Sequence, residues 1–268
     1  MHLSRRTQML LRLGTGVTLA FIYLPIAVIA LYAFNSSRSQ AWPVDGLTLE
    51  WFEKAVNNQG VRDAVETSLK AAVGATAIAV VLGTLAALAV ARYRFFGRET
   101  VSFLVILPLA LPGIVTGMAL NANFSQILGI DLSLFTVIVG HATFCIVVVF
   151  NNAVARLRRT GTSLEEASRD LGAGTWRTFV SVTLPSLRSA LVAGALLAFA
   201  LSFDEIIVTT FTAGDQQTLP IWIFNNYSRP NQLPIVNAVG MLVILLSAIP
   251  VYFANRLTRE TPGGGMAR

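Results

Sequence analysis

The chain reads Glu166-Ala167-Ser168-Arg169-Asp170-Leu171-Gly172 and, after nine further residues, Val182-Thr183-Leu184-Pro185. This charged stretch lies between two long apolar segments of a 268-residue chain. A polar loop of this length between apolar segments is expected to meet a binding partner.

The composition indicates a membrane protein. The chain is 54% hydrophobic and 13% charged, whereas soluble domains carry roughly 25% charged residues. Six apolar blocks approach the length of about 20 residues that a helix needs to cross a bilayer. They cover residues 13–34, 64–91, 100–121, 134–155, 187–210 and 237–255. Lipid cannot satisfy an open backbone, so the sequence predicts an all-α integral membrane protein with six transmembrane helices.

The basic residues orient these predicted spans. Fifteen arginines fall on one side, against Arg38, Lys54, Arg62 and Arg229 on the other. Basic residues concentrate on the cytoplasmic side of membrane proteins, which predicts that both termini are cytoplasmic. This topology and contact with anionic lipid account for the net charge of +6, so no nucleic-acid partner is expected.

The predicted order along the chain is simple. Residues 1–35 form a cytoplasmic N-terminus and first span, 36–63 an extracytoplasmic segment, 64–255 a five-helix core, and 256–268 a cytoplasmic tail. The core contains the cytoplasmic loop 156–186. The first apolar run is longer than the roughly 7–15 residues typical of a signal peptide, and no A-x-A site follows it, so it is expected to remain uncleaved. Cys145 is the only cysteine, which excludes an internal disulfide.

The quoted stretch resembles the EAA loop of ABC importer permeases, written E-A-A-x3-G-x9-I-x-L-P. Ser168 replaces the second Ala and Val182 replaces Ile, but the spacing is intact. The resemblance implies a type I ABC importer permease fold, in which this loop docks as a short helix into an ATP-hydrolysing subunit. It implies that the coupling residues are Glu165, Glu166, Ala167, Asp170, Leu171, Gly172, Leu184 and Pro185.

The residues themselves agree with a short helix in this loop. Ser163 is a candidate N-cap, Gly172 is placed to end the helix, and Pro185 suits the start of the next one. One side of the predicted helix is apolar and carries Leu164, Ala167 and Leu171. That side is suited to a groove on a partner, although an amphipathic helix resting on lipid has the same pattern.

Two predicted spans carry small residues at four-residue intervals, which lets helix backbones approach closely. These stripes are Ala71, Ala75, Ala79, Gly83 and Ala87 in the second span, and Ala190, Gly194, Ala198 and Ser202 in the fifth. Both helices are expected to face protein. In the third span, Pro108 and Pro112 predict a break that either lines a cavity or serves packing.

An acidic pair, Asp204-Glu205, is predicted inside the fifth span. Each carboxylate at membrane depth costs on the order of 2–3 kcal/mol, which favours a functional reason for its presence. The pair suits either a cationic substrate or an arginine of a partner subunit. His141, in the fourth span, has no acid at i±4 and is expected to be a packed or cavity-facing group rather than a proton relay.

The segment Ser202-Phe203-Asp204-Glu205 resembles the S-F-D-D/E segment of spermidine/putrescine permeases. Carboxylates would bind the ammonium groups of such cargo, and aromatic faces would add cation–π attraction. The predicted substrate path therefore comprises Ser202, Phe203, Asp204, Glu205, Trp222 and Tyr227. For Trp222 and Tyr227, a role as ordinary interfacial aromatics is the favoured explanation.

No G-x-x-x-x-G-K-[ST] motif and no nucleophile–base or metal-ligand pattern occurs, so no catalysis and no cofactor are expected in this chain. The resemblance implies a multi-pass protein of the bacterial inner membrane. Its implied partners are two ATPase subunits that bind ATP and magnesium, a second related permease and an extracytoplasmic solute-binding protein. The alternatives are an importer of another cationic or small organic solute, an ion-coupled carrier that uses Asp204 or His141, and a scaffold without transport activity.

Overall fold

The computed structural model describes residues 4–38 and 42–259, with side chains described up to residue 247. Its regular elements are helical, apart from one isolated antiparallel bridge between Asn35 and Leu47. Most of the predicted tail 256–268 lies outside the described residues. The α-helices are α1 (Arg5–Ala33), α2 (Glu50–Asn57), α3 (Gln59–Arg92), α4 (Arg98–Ala110), α5 (Gly113–Ala122), α6 (Leu134–Thr160), α7 (Ser163–Asp170), α8 (Thr175–Thr178), α9 (Leu184–Phe203), α10 (Ile207–Thr212), α11 (Leu219–Tyr227) and α12 (Leu233–Arg259).

The chain divides into two compact units, the first of which comprises residues 1–62 and 223–268. In it, α12 packs against both α1 and α2. The indole Nε1 of Trp51 donates a 2.7 Å hydrogen bond to the carbonyl oxygen of Asn35. The rings of Phe34 and Phe52 lie 4.9 Å apart. These contacts fasten the short helix α2 to the end of α1.

Within the part of the chain that the structure describes, four helical segments are long and apolar enough to cross a membrane: Arg5–Ala33, Gln59–Arg92, Leu134–Thr160 and Thr175–Phe203. A fifth span results if the bent pair Arg98–Ala110 and Gly113–Ile127 is counted as one. The last predicted span falls in α12, which runs from Leu233 to Arg259 and whose side chains are described as far as residue 247. Six spans therefore remain a prediction.

The second unit, residues 63–222, has α6 at its centre, packed between α3 and α9. A Cβ added at Gly83 of α3 would lie 3.0 Å from the carbonyl oxygen of Ile146, and one at Gly194 of α9 would lie 3.3 Å from the Cα of Val149. All five small residues of the predicted stripe in α3 are buried. The expectation that these helices face protein is confirmed.

The predicted third span is broken. Helix α4 ends at Ala110, α5 begins at Gly113, and the pair bends by 104°. Pro112 lies at the break as the N-cap of α5, where its missing N–H costs no helical hydrogen bond. The break predicted from the two prolines is confirmed.

The predicted fifth span, 187–210, has the wrong limits. The helical segment begins at Thr175 and ends at Phe203, and residues 207–212 form the separate helix α10. A π-helical turn, Phe179–Thr183, precedes Pro185. Because Pro185 has no N–H for the carbonyl four residues earlier, the wider turn lets the helix continue through this position.

Replacing Gly83 by Leu should force α3 away from α6, since the new side chain would meet backbone atoms. We expect a loss of about 1–3 kcal/mol, measured as a lower Tm of the purified protein in detergent. Gly16→Leu is the matched control, because nothing lies within 4 Å of a Cβ at Gly16. Equal Tm values for the two variants would refute the close packing of α3 on α6.

Candidate functional site

The charged loop contains the helix α7, which is terminated by Gly172. Gly172 has φ +85°. Its N–H donates to the carbonyl oxygen of Arg169 over 2.8 Å, and the N–H of Ala173 donates to that of Ser168 over 3.1 Å. This is a Schellman motif, in which a left-handed residue satisfies the last helical carbonyls. Gly172 therefore ends α7, as its position predicted.

One side of α7 is apolar and uncovered in this chain. Leu164 is 63% exposed and Leu171 90% exposed, and Ala167, Glu166 and Asp170 are exposed as well. Ser163 is the first helical residue and Thr162 occupies the N-cap position, so the predicted cap is one residue off. The predicted coupling residues on this side are free to meet a partner.

Glu165 points the other way, into the protein, and is 8% exposed. The Nε atom of Arg92, at the end of α3, lies 3.0 Å from Oε2 and 3.1 Å from Oε1 of its carboxylate. The hydroxyl of Thr183 donates to Oε1 over 3.1 Å. The carboxylate of Glu165 is bound within the chain, and the predicted contact of Glu165 with an ATPase stays a prediction.

Arg92 also reaches the end of α6. Its Nη1 donates to the carbonyl oxygen of Leu157 over 3.2 Å and its Nη2 to that of Gly161 over 2.7 Å. One guanidinium group thus connects the ends of α3 and α6 with α7. The planar fork of arginine is suited to such an arrangement, whereas a lysine ammonium is not.

Replacing Arg92 by Gln should loosen α7, because the Glu165 carboxylate would remain largely buried without its ion partner. We expect about 3–5 kcal/mol of lost stability. Limited proteolysis within residues 161–174 should accelerate. Arg94→Gln is the control, since Arg94 is exposed two residues further on. Identical cleavage rates in the two variants would contradict a fastening role.

The return segment places Leu184 and Pro185 at the start of α9, and both side chains are exposed. They follow directly on the π-helical turn that carries Thr183, the hydrogen-bond partner of Glu165. The loop and α9 are therefore linked by backbone continuity and by a side-chain contact.

The second candidate site is the gap between α9 and α10. Asp204 is the C-cap of α9 and is exposed, so the prediction that the acidic pair lies inside a helix is wrong. The half-buried Glu205 accepts a 2.9 Å hydrogen bond from the backbone N–H of Val208 through Oε1. Because α9 ends at Phe203, helical periodicity does not set the directions of these two side chains. The two acids have different environments.

His141 of α6 bridges this gap and is fully buried. Its Nδ1 lies 2.8 Å from the Ser202 hydroxyl on α9, and its Nε2 lies 2.8 Å from the Thr209 hydroxyl on α10. The Thr209 hydroxyl in turn donates to the carbonyl oxygen of Glu205 over 2.7 Å. The prediction of a packed polar group for His141 is confirmed in its burial.

Helix α10 packs against α5 as well. A Cβ at Gly117 would lie 2.7 Å from the Phe211 ring, so only glycine fits there. The side chain of Asn121 donates to the carbonyl oxygen of Phe211 over 2.6 Å. Gly113, at the start of α5, faces Ile207, at the start of α10. The breaks of the third and fifth spans are therefore neighbours.

The other residues of the predicted path differ in exposure. Phe203 is half-buried and stacks on Phe199 with ring centroids 6.0 Å apart. Trp222 is buried, whereas Tyr227 is 65% exposed. Their contact with a substrate stays a prediction. Sequence reasoning missed Arg92 and Thr209, which carry no local signal because their partners lie on other helices.

Residues 79–261 match the family described as binding-protein-dependent transport system inner membrane component. The chain belongs to this family. It is 32% identical to the spermidine/putrescine transport system permease protein PotC of Escherichia coli (strain K12), over 91% of this chain and 92% of that protein. It is 34% identical to the putrescine transport system permease protein PotI of the same strain, over 84% and 82%.

Solved structures show the same fold. A bacterial ABC transporter involved in the import of the acidic polysaccharide alginate matches with TM-score 0.69 and 16% identity, over 98% of this chain and all of that one. The chain is a multi-pass permease subunit of the inner membrane, homologous to polyamine permeases. Family membership argues against the ion-coupled carrier and the scaffold considered from the sequence.

Proposed function

We propose that this permease subunit translocates polyamines, with Asp204 as a carboxylate that meets the ammonium groups. The observation that carries the proposal is an exposed acid at a helix break in a chain 32–34% identical to spermidine and putrescine permeases. An ionised acid attracts an ammonium group through charge-assisted hydrogen bonds. Such a site favours multivalent cations over neutral solutes of similar size.

Asp204 and Glu205 have different roles in this proposal. Glu205 already accepts the Val208 N–H, which leaves only part of its carboxylate for another donor. Asp204 is exposed beside it and is the better placed of the two for substrate. Glu205 then acts mainly by shaping the turn into α10.

Asp204→Asn should reduce uptake strongly, whereas Glu205→Gln should reduce it less, since the glutamine oxygen can still accept the Val208 N–H. The expected loss for Asp204→Asn is about 2 kcal/mol in half-saturation, or roughly 30-fold. The measurement is uptake of labelled putrescine and spermidine by proteoliposomes that hold the assembled transporter, its binding protein and internal ATP. A larger defect for Glu205→Gln would reverse the assignment.

The same assay tests the cargo. One relative, 30% identical, is a putative 2-aminoethylphosphonate transport system permease protein from Salmonella paratyphi A. Both 2-aminoethylphosphonate and the polyamines carry an amine, so 2-aminoethylphosphonate is the appropriate competitor in the uptake assay. If 2-aminoethylphosphonate is accumulated and putrescine is not, the polyamine assignment is wrong and the alternative of another small organic solute stands.

For energy coupling, we infer an assembly of this chain with a second permease, two ATPase subunits and an external binding protein. The chain would cross the membrane six times with both termini in the cytoplasm, which puts α7 on the ATPase side. The apolar side of α7, with Leu164 and Leu171 exposed, would enter a groove on the ATPase. ATP and magnesium would bind there and not in this chain.

Leu171→Glu should prevent co-purification of the ATPase, because a carboxylate would be buried without a partner at the interface. The expected cost is about 2–4 kcal/mol of association energy. Since Leu171 is exposed, the Tm of the isolated permease should stay the same. Phe96→Glu places the same charge at another fully exposed apolar side chain, in the connection between α3 and α4, as a control. If the Leu171→Glu variant still co-purifies with the ATPase, the proposed docking of α7 is wrong.

A further inference from the structure

The hydrogen bonds around His141 determine which of its nitrogens carries the proton. The single hydroxyl proton of Thr209 is donated to the carbonyl oxygen of Glu205. Towards His141 the Thr209 oxygen can then only accept, so Nε2 must be the donor. In neutral histidine this leaves Nδ1 as an acceptor, which receives the Ser202 hydroxyl proton.

The result is a directional chain of hydrogen bonds across the broken helix. It runs from Ser202, the penultimate residue of α9, through His141 to Thr209 in α10, and ends on the carbonyl of Glu205. The side chains of Ser202, His141 and Thr209, which form this series of hydrogen bonds, are all buried. The Phe144 ring, 5.5 Å from the imidazole, packs beside it. Two further contacts hold the same helices, since Cys145 donates to the Ala198 carbonyl and Gly140 packs on Thr212.

We propose that His141 is a positioning residue for substrate: it fixes the separation of α9 and α10 and thereby holds Asp204 at the end of α9, facing outward. Asp204 is the second residue after Ser202, and Glu205 is anchored by Thr209, so both flanks of Asp204 are tied to one imidazole. Both ring nitrogens of His141 are engaged by hydroxyl groups, one on each of the two helices that it connects. This proposal rests on the proposed role of Asp204 in binding cargo.

His141→Leu removes both hydrogen bonds at similar volume, whereas His141→Gln keeps one donor and one acceptor at similar reach. In the assembled transporter, His141→Leu should raise the half-saturation concentration for labelled putrescine about tenfold, because Asp204 would no longer be held in place by the two hydrogen bonds of His141. The maximal uptake rate should change little, and His141→Gln should recover most of the loss. A purely structural defect would instead lower the maximal rate and the amount of transporter in proportion.

Thr209→Val offers a second variant if His141→Leu does not assemble, because it cuts the same chain without altering α6. It should also raise the half-saturation concentration. Combining it with His141→Leu should add little, since both remove the same connection. Thr143→Val is the control on the same helix, because the Thr143 hydroxyl bonds only to the carbonyl of Gly140 in the preceding turn.

Hydrogen exchange of the amides of residues 203–210 tests His141 without any substrate. In the purified transporter, His141→Leu should speed their exchange about tenfold, while Thr143→Val should not. Unchanged exchange and unchanged half-saturation in His141→Leu would overturn the positioning role, as would a His141→Gln variant as defective as His141→Leu. If the wild-type transporter does not take up putrescine, the proposed cargo is wrong. The hydrogen-exchange comparison would still test the positioning role of His141, because it uses no substrate.

Discussion

A helix that stops in apolar surroundings must find new partners for the backbone groups that it releases. At residues 204–206 the side chains supply them. The Glu205 carboxylate accepts the Val208 N–H, and the Thr209 hydroxyl donates to the Glu205 carbonyl. One acid of the pair is therefore part of the fold. Its neighbour Asp204 is exposed.

Local spacing predicted the features that depend on local geometry. The spacing of six positions from Glu166 to Gly172 predicted a glycine where a left-handed residue ends α7, at φ +85°. Small residues at intervals of four marked the faces of α3 and α9 that pack on α6. Pro112 marked the break between α4 and α5. In each case the determining residue lies within the element whose shape it determines or no more than two residues from its end.

The features that sequence reasoning missed depend on contacts between distant residues. Arg92 lies 73 residues before Glu165, and His141 lies 61 and 68 residues before Ser202 and Thr209. The break after Phe203 contains neither proline nor glycine, so the apolar run appeared continuous to residue 210. It is defined by hydrogen bonds to α6 and within α10, which no periodicity records.

The two candidate sites lie at opposite ends of one helical segment. Thr183, which binds Glu165, and Ser202, which binds His141, both belong to the segment Thr175–Phe203. About 19 residues at 1.5 Å each separate them by roughly 28 Å. Between them α9 packs closely on α6 at Gly194 and Cys145. Two helices joined in this way resist bending. We therefore expect a displacement applied at α7 to be relieved where the regular helix is interrupted, at the π-helical turn before Pro185 or at the gap that holds Asp204.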